Sequence, residues 1–161
     1  MSDFESTAHD QNRFDAERDF EKILFKSFFI KLLNRFKDSP ATLLSLDDIR
    51  KRFHLQKESY YGLKAVEIDK IMGSEGRYSE FDHHFLPTSP KTRQKWININ
   101  SAVRDNINLP PVQLYKVDDV FFVRDGNHRI SVAKALGQKF IEAEVTEIET
   151  PVKIRKGMDR R

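Results

Sequence analysis

The segment from residue 120 to residue 137 constrains the fold more than any other part of this sequence. Strand-forming residues at 120–123 lead into a polar turn at 124–129, and a helical pattern follows at once and ends at Gly137. The order is therefore strand, tight turn and helix N-terminus. Because the first turn of a helix has backbone N–H groups without intrahelical partners and a partial positive charge, this arrangement predicts a site for an anion.

Each residue of the turn has a predicted role. Gly126 allows a positive φ or a close approach of the backbone. Asp125 or Asn127 can cap the following helix through a side-chain oxygen. His128 and Arg129 fall in the first helical turn, where an imidazole and a planar guanidinium would meet a phosphate. The alternative is an ordinary capped helix in which the arginine pairs with a surface carboxylate.

Strand and helix signals are mixed along the segment that surrounds this turn. Strands are expected at 64–68, 112–117, 120–123 and 140–148, helices at 89–106 and 131–136, a turn or helical cap at 69–72 and a loop at 73–78. Asp118-Asp119 predicts a tight hairpin between two of the strands. Trp96 is expected in the core of its helix rather than as a platform for a base. These patterns predict an α+β fold, a small mixed sheet with packed helices.

A helical extension is predicted before this domain, over residues 13–60. Residues 1–12 are polar and are expected to be disordered. One long helix is predicted at 13–37, and a second at 42–53 with Ser45 as its N-cap and an aspartate three positions later. Two successive helices suggest a helix-turn-helix DNA reader, but nothing after them resembles a recognition helix.

The long helix has an apolar surface wider than one packing face needs. Its apolar residues are Ile23, Leu24, Phe25, Phe28, Phe29, Ile30, Leu32, Leu33 and Phe36. Three interpretations stay open, namely packing on its own domain, a homo-oligomer contact and attachment to a membrane surface. Acidic residues in the first part of the helix weigh against the third.

Composition excludes several classes of site. The chain has no cysteine, which excludes disulfides, thiolate metal sites and a cysteine nucleophile. The net charge of +3 gives little support to DNA binding, and the basic segment 149–161 is expected to be a frayed tail rather than a contact to a phosphate backbone. Asp82-His83-His84 lacks a nearby third ligand, so no metal site is predicted. No signal peptide is visible, and a cytoplasmic protein is expected.

The turn and its flanks resemble the nucleotide-binding core of the ParB/sulfiredoxin superfamily. Residues 124–129 are similar to the Gly-x-His-Arg or Gly-Glu-Arg-Arg helix start of that family, and 109–112 to its Pro-Pro-Ile/Val strand entry. Residues 68–78 are similar to its first box, a strand and loop that contain an arginine. The resemblance covers roughly 63–148 and is most specific over 109–145.

This resemblance implies a bound nucleotide, CTP or ATP/ADP, with or without Mg²⁺. The residues that it places at the nucleotide are Arg77, Gly126, Asn127, His128, Arg129 and Ser131. Sulfiredoxins have a catalytic cysteine where this chain has Asn127, so reduction of a sulfinic acid is excluded. Partition proteins have a glutamate at that position that helps to hold Mg²⁺, and an asparagine is a weaker ligand.

Three functions stay open at this point. The first is a regulatory switch, in which the nucleotide orders residues 73–88 or the long helix and so changes the binding of a partner. The second is a nucleotidase or kinase with Glu75 or Asp125 as the catalytic base. The third, a DNA-binding or nuclease-type protein, follows only from labels attached to the family.

Overall fold

A computed structural model describes residues 7–21, 23, 43–53, 55, 57–76 and 79–149. Helix α1 covers residues 7–21. The later elements are β1 (Leu44–Ser45), α2 (Leu46–Phe53), β2 (Glu58–Glu67), β3 (Ile71–Ser74), α3 (Arg93–Arg104), β4 (Val112–Val117), β5 (Val120–Asp125), α4 (Asn127–Ala135) and β6 (Phe140–Ile148). Single 3₁₀ turns, Ile68–Lys70 and Pro90–Thr92, precede β3 and α3. The predicted α+β class is confirmed.

The six strands form one mixed sheet in the order β1-β3-β5-β4-β6-β2. Strands β4 and β5 form the predicted antiparallel hairpin, and β2 pairs antiparallel with β6. The pairs β1–β3, β3–β5 and β4–β6 are parallel. Because α4 begins directly after β5, its N-terminus lies at the edge of the sheet where the parallel strands β3 and β5 end.

Both faces of the sheet are packed. Leu114 of β4 belongs to a cluster that includes Ile130 of α4, whereas the next residue, Tyr115, belongs to a cluster with Leu46 of α2. Since successive side chains of a strand point to opposite faces, α4 and α2 cover opposite sides of the sheet. Trp96 is fully buried in a third cluster between α1, α3 and α4, which confirms it as a core residue.

Helix α1 packs against α3 of its own domain. Ala16 and Phe20 are fully buried, and the Phe20 ring lies 5.6 Å from that of Trp96. Burial of one large apolar side chain contributes about 1.5–3 kcal/mol. The described part of the helix therefore packs on its own domain. The apolar surface for which the three interpretations were made lies, apart from Ile23, outside the described residues, so all three stay predictions.

Several predicted boundaries are wrong, and α4 begins at Asn127 rather than at residue 131. Helix α1 begins at residue 7 rather than 13, because side chains in its first turns bond to α3. Residues 44–45 form a short strand before α2. Strand β2 starts at Glu58, six residues before the predicted start at residue 64. Its side chains are mostly exposed, so apolar and polar residues do not alternate along it. Residues 71–74 form a strand, β3, too short to show a period.

Two of the predicted caps, at Ser45 and at Gly137, are present. The Ser45 hydroxyl accepts a hydrogen bond of 3.4 Å from the Asp48 N–H at the start of α2. Gly137 has a φ of 75°, and its N–H donates to the Lys134 carbonyl at the end of α4. Residues 1–6, Arg77 and the tail from 150 lie outside the described residues, so the predictions made for them remain open.

Candidate functional site

The turn before α4 depends on Gly126. This residue is the N-cap of α4 and has a φ of 114°, in the left-handed region. A Cβ atom at this position would lie 2.6 Å from Val112 Cγ1, which confirms the predicted close approach of the backbone. No side chain caps the helix, so the capping role predicted for Asp125 or Asn127 is wrong. The helical ladder starts with the Ile130 N–H, and the amides of 127–129 precede it.

Asn127 ties α4 to the end of β3. Its Nδ2 donates to Ser74 Oγ at 3.1 Å and to the Gly76 carbonyl at 3.4 Å. Because a carbonyl can only accept, the amide group must point its nitrogen to Gly76, and this fixes the position of Oδ1. Oδ1 is buried without a hydrogen-bond partner in the described part of the chain. A buried acceptor costs about 1–3 kcal/mol unless a water or a ligand donates to it.

The guanidinium of Arg129 is already occupied by protein groups. It donates to the carbonyl of Pro110, to that of Pro111 at 3.0 Å and to Asp125 Oδ2 at 2.7 Å. Its side chain is only 15% exposed. The alternative made from the sequence, an arginine paired with a carboxylate, therefore describes Arg129 better than a free phosphate ligand does.

His128 and Ser131 also face protein groups. The imidazole of His128 is buried and packs edge-on against Phe81, with 5.1 Å between the ring centroids. Ser131 is buried, and its Oγ accepts a hydrogen bond of 2.9 Å from Trp96 Nε1. This bond turns the Ser131 side chain toward α3. Ser131 does not border the cavity described next, so the structure gives no support to a contact between Ser131 and a ligand.

An open cavity of about 390 Å³ lies at the N-terminus of α4. It is lined by Glu75, Gly76, Lys95, Ile99, Arg124, Asp125, Gly126, Asn127, His128 and Arg129. The structure thus brings together all of the predicted site residues except Ser131, which points elsewhere, and Arg77, which lies outside the described residues. The cavity has carboxylates, cations and backbone amides on its walls.

Lys95 and Arg124 are cavity residues that sequence reasoning missed. Both are exposed, and neither forms an ion pair with a described carboxylate. The Arg124 guanidinium lies 5.7 Å from the centre of the Tyr115 ring. Arg124 lies inside the motif, so the sequence could have identified it as a site residue. Lys95 borders the cavity only because α3 packs on α4, which the sequence does not show.

The two candidate catalytic carboxylates lie on the cavity wall in different surroundings. Asp125 is 67% exposed and is paired with Arg129. Glu75 lies 4.0 Å from Arg50, whose guanidinium is also 2.8 Å from Glu58. Either carboxylate is within reach of a ligand in the cavity, and the role of a general base stays a prediction.

A second cleft, of about 380 Å³, adjoins this cavity and was not predicted. Its walls are more apolar than those of the cavity. They include Val103, Ile107, Leu109, Pro110, Pro111 and Ile141, with Asn106, Asn108, Gln138 and Glu142 also at its border. Ile99 and Arg129 border both spaces. The two spaces therefore form a polar and an apolar compartment on either side of one arginine.

The Asp82-His83-His84 segment has a structural role in its loop. Asp82 Oδ1 accepts hydrogen bonds of 2.9 Å from the N–H groups of His84 and Leu86. No group of three metal-ligating side chains is found among the described residues.

Comparison with known proteins gives limited matches. No family model matches the chain. A Src kinase-associated phosphoprotein 2 from Xenopus tropicalis is 38% identical over 69 residues, which are 43% of this chain and 20% of that protein. The chain thus spans about a fifth of the length of that curated relative. The crystal structure of sulfiredoxin from Arabidopsis thaliana matches 52% of this chain and 82% of its own, with 18% identity and a TM-score of 0.39. Neither match is close enough to support an argument about function. In the described residues, no helix has the length and apolar character needed to cross a membrane.

Proposed function

We propose that this protein binds a nucleotide, with the phosphates at the N-terminus of α4 and the base in the adjoining apolar cleft, and that binding regulates a partner. The observation that carries the proposal is the pair of adjoining spaces, one polar and one apolar, that share Ile99 and Arg129. A nucleotide has the same division into a charged part and an apolar planar part.

The charges of the cavity support a phosphate in it. Arg129 and Asp125 largely neutralise each other, and Arg50 lies near Glu75. Lys95 and Arg124 are left as cations without carboxylate partners in the described part of the chain. The amides at the start of α4 add donors and the positive end of the helix dipole. Hydrogen bonds to charged groups contribute about 1.5–3 kcal/mol each.

Glu75 and Asp125 fit a magnesium ion that accompanies the phosphates. Mg²⁺ is commonly held by one or two carboxylates together with phosphate oxygens, and both carboxylates border the cavity. Their side chains are 38% and 67% exposed, so an ion in the cavity can reach both while Asp125 keeps its bond to Arg129. The ion would neutralise phosphate charge that these carboxylates otherwise repel.

The apolar cleft suits a base but does not identify it. Its volume of about 380 Å³ lies within the usual range for small-molecule pockets, and its proline and aliphatic walls can cover a planar ring. We therefore propose CTP or ATP/ADP as the ligand class and assign no preference among them.

The position of the cavity favours a switch. The cavity wall includes Glu75 and Gly76, which belong to the 73–88 segment, and Asn127 bonds to Ser74 and Gly76. A ligand there would contact the segment whose order is proposed to change. The second candidate, nucleotide hydrolysis or phosphotransfer, is favoured by the two carboxylates on the same wall.

Calorimetry with CTP, ATP, GTP and ADP, each with and without Mg²⁺, tests the proposal. We expect the double variant Lys95→Gln with Arg124→Gln to raise the Kd of the nucleotide that binds most tightly by about 100-fold, because two cations are lost. Lys91→Gln with Lys139→Gln removes the same charge from exposed positions away from the cavity and is the matched control.

Absence of binding for all four nucleotides would overturn the proposal. Equal loss in the two double variants would assign the effect to net charge rather than to the cavity. Release of inorganic phosphate, measured under the same conditions, separates the switch from the enzyme.

A further inference from the structure

We propose that Arg129 is a positioning residue that holds the wall between the two spaces and is not itself a ligand of the phosphates. This inference rests on the proposed function, because it assigns the part that Arg129 plays when both spaces are filled. The expectation from the sequence was the opposite, a guanidinium that contacts phosphate directly.

The contacts of Arg129 support a positioning role. Its donors are directed to the carbonyls of Pro110 and Pro111 and to Asp125. A proline has no N–H, so the Pro110–Pro111 segment cannot anchor itself at these residues by donating hydrogen bonds. It offers only carbonyl acceptors, and Arg129 Nη1 donates to both of them while Nη2 donates to Asp125.

The wall that Arg129 holds belongs to the apolar cleft. Pro110 and Pro111 line this cleft, and Arg129 lines both the cleft and the cavity. The guanidinium is also confined from the side of the turn, since a Cβ on Gly126 would lie 3.3 Å from Arg129 Nη2 and 2.6 Å from Val112 Cγ1. The start of α4 and the proline wall are therefore fixed to each other through one side chain.

The charge balance gives the phosphates other partners. Asp125 neutralises Arg129, whereas Lys95 and Arg124 have no carboxylate partner among the described residues. We therefore expect Lys95 and Arg124 to determine the affinity for the phosphates. We expect Arg129 to determine the additional affinity that comes from the nucleoside.

The test compares tripolyphosphate with CTP and ATP by calorimetry. The ratio of the tripolyphosphate Kd to the nucleotide Kd measures the contribution of the nucleoside. We expect Arg129→Gln to reduce this ratio about tenfold, and it should also weaken tripolyphosphate because it leaves the Asp125 carboxylate without its cation. Arg129→Lys keeps the charge but has one nitrogen in place of two, Nη1 on the carbonyls and Nη2 on Asp125. It should reduce the ratio about tenfold and leave the tripolyphosphate Kd within about threefold.

Lys95→Gln is the matched variant with the opposite expectation. It should weaken tripolyphosphate and nucleotide by the same factor, which leaves the ratio unchanged. A loss of tripolyphosphate affinity in Arg129→Lys as large as that in Lys95→Gln overturns the positioning role. An unchanged ratio in both Arg129 variants overturns it as well.

A measurement on the unaltered protein covers the case in which the Arg129 variants do not fold. In NMR spectra of arginine side chains, tripolyphosphate should shift the Arg124 Nε–H resonance and leave that of Arg129 in place. A larger shift for Arg129 would make it a phosphate ligand. Wild-type protein that binds neither probe, or that gains nothing from the nucleoside, refutes the proposed function before any variant is compared.

Discussion

The turn before α4 and the contact between α1 and α3 differ in how far their polar groups are paired. At the α1–α3 contact the side chains are paired, by the ion pairs Arg93–Glu21 and Arg104–Asp19 and by a hydrogen bond between His9 and Asp105. At the turn, Lys95 and Arg124 have no carboxylate partner among the described residues, and Asn127 Oδ1 is buried without a hydrogen bond. The contact with paired groups is the one expected to contribute stability, and the turn with unpaired groups is the proposed ligand site.

The largest expected effect breaks the α1–α3 contact. Phe20→Ala removes a fully buried ring beside Trp96, and we expect a loss of about 3–5 kcal/mol in the free energy of unfolding measured with urea. Phe14→Ala, on the same helix but 61% exposed, should stay within about 0.5 kcal/mol. Equal effects of the two variants would mean that α1 does not pack as described.

The second effect concerns the backbone of the turn. Gly126→Ala forces a left-handed φ on alanine and drives its Cβ against Val112, and we expect a loss of about 2–4 kcal/mol. Gly137→Ala also places alanine at a positive φ, 75° rather than 114°, but has no atom within 4 Å of the new Cβ, so it should lose about 1 kcal/mol. Urea unfolding of both variants measures the difference, which isolates the close approach to Val112.

A third pair of variants compares the charges directly. Arg104→Gln leaves Asp19 without its cation in a partly buried position, and we expect a loss of about 1 kcal/mol. Arg124→Gln removes an arginine that has no carboxylate partner in the described part of the chain, and its stability should change by less than about 0.5 kcal/mol. Thermal unfolding measures both. A larger loss for Arg124→Gln would remove the distinction between the two regions.

The smallest effect is the response of α1 to acid. Hydrogen bonds from Asn12 and then His9, together with the charge of His9, lower the pKa of Asp105 below its ordinary value. A carboxyl with a lowered folded pKa adds stability above its ordinary pKa, and this is lost as the pH falls through the folded value. The protection factors of α1 amides against hydrogen exchange should therefore fall below about pH 4. In Asp105→Asn this dependence should be weaker.

Local patterns predicted the elements around the turn. The hairpin of β4 and β5, the Gly126 turn, the Gly137 cap and strand β6 were all read correctly, because each depends on residues adjacent in sequence. Strand β3 was missed since four residues show no period, and its place beside β5 is a long-range contact.

The candidate site was predicted in position but not in its details. The residues of one turn must lie together, so Asp125, Gly126, Asn127, His128 and Arg129 were found from the motif. The partners of their side chains come from distant segments, as with Phe81 for the imidazole and the proline carbonyls for the guanidinium. Such partners leave no local pattern, and neither does the second cleft.

The bond between Trp96 and Ser131 gives this protein a built-in optical probe. Trp96 is the only tryptophan of the chain, and its indole N–H is held by a hydroxyl on α4, one turn from the proposed phosphates. A small displacement of α4 would change the polarity around the indole and hence the wavelength of its emission. Any rearrangement that starts at this helix can therefore be followed in real time without a label.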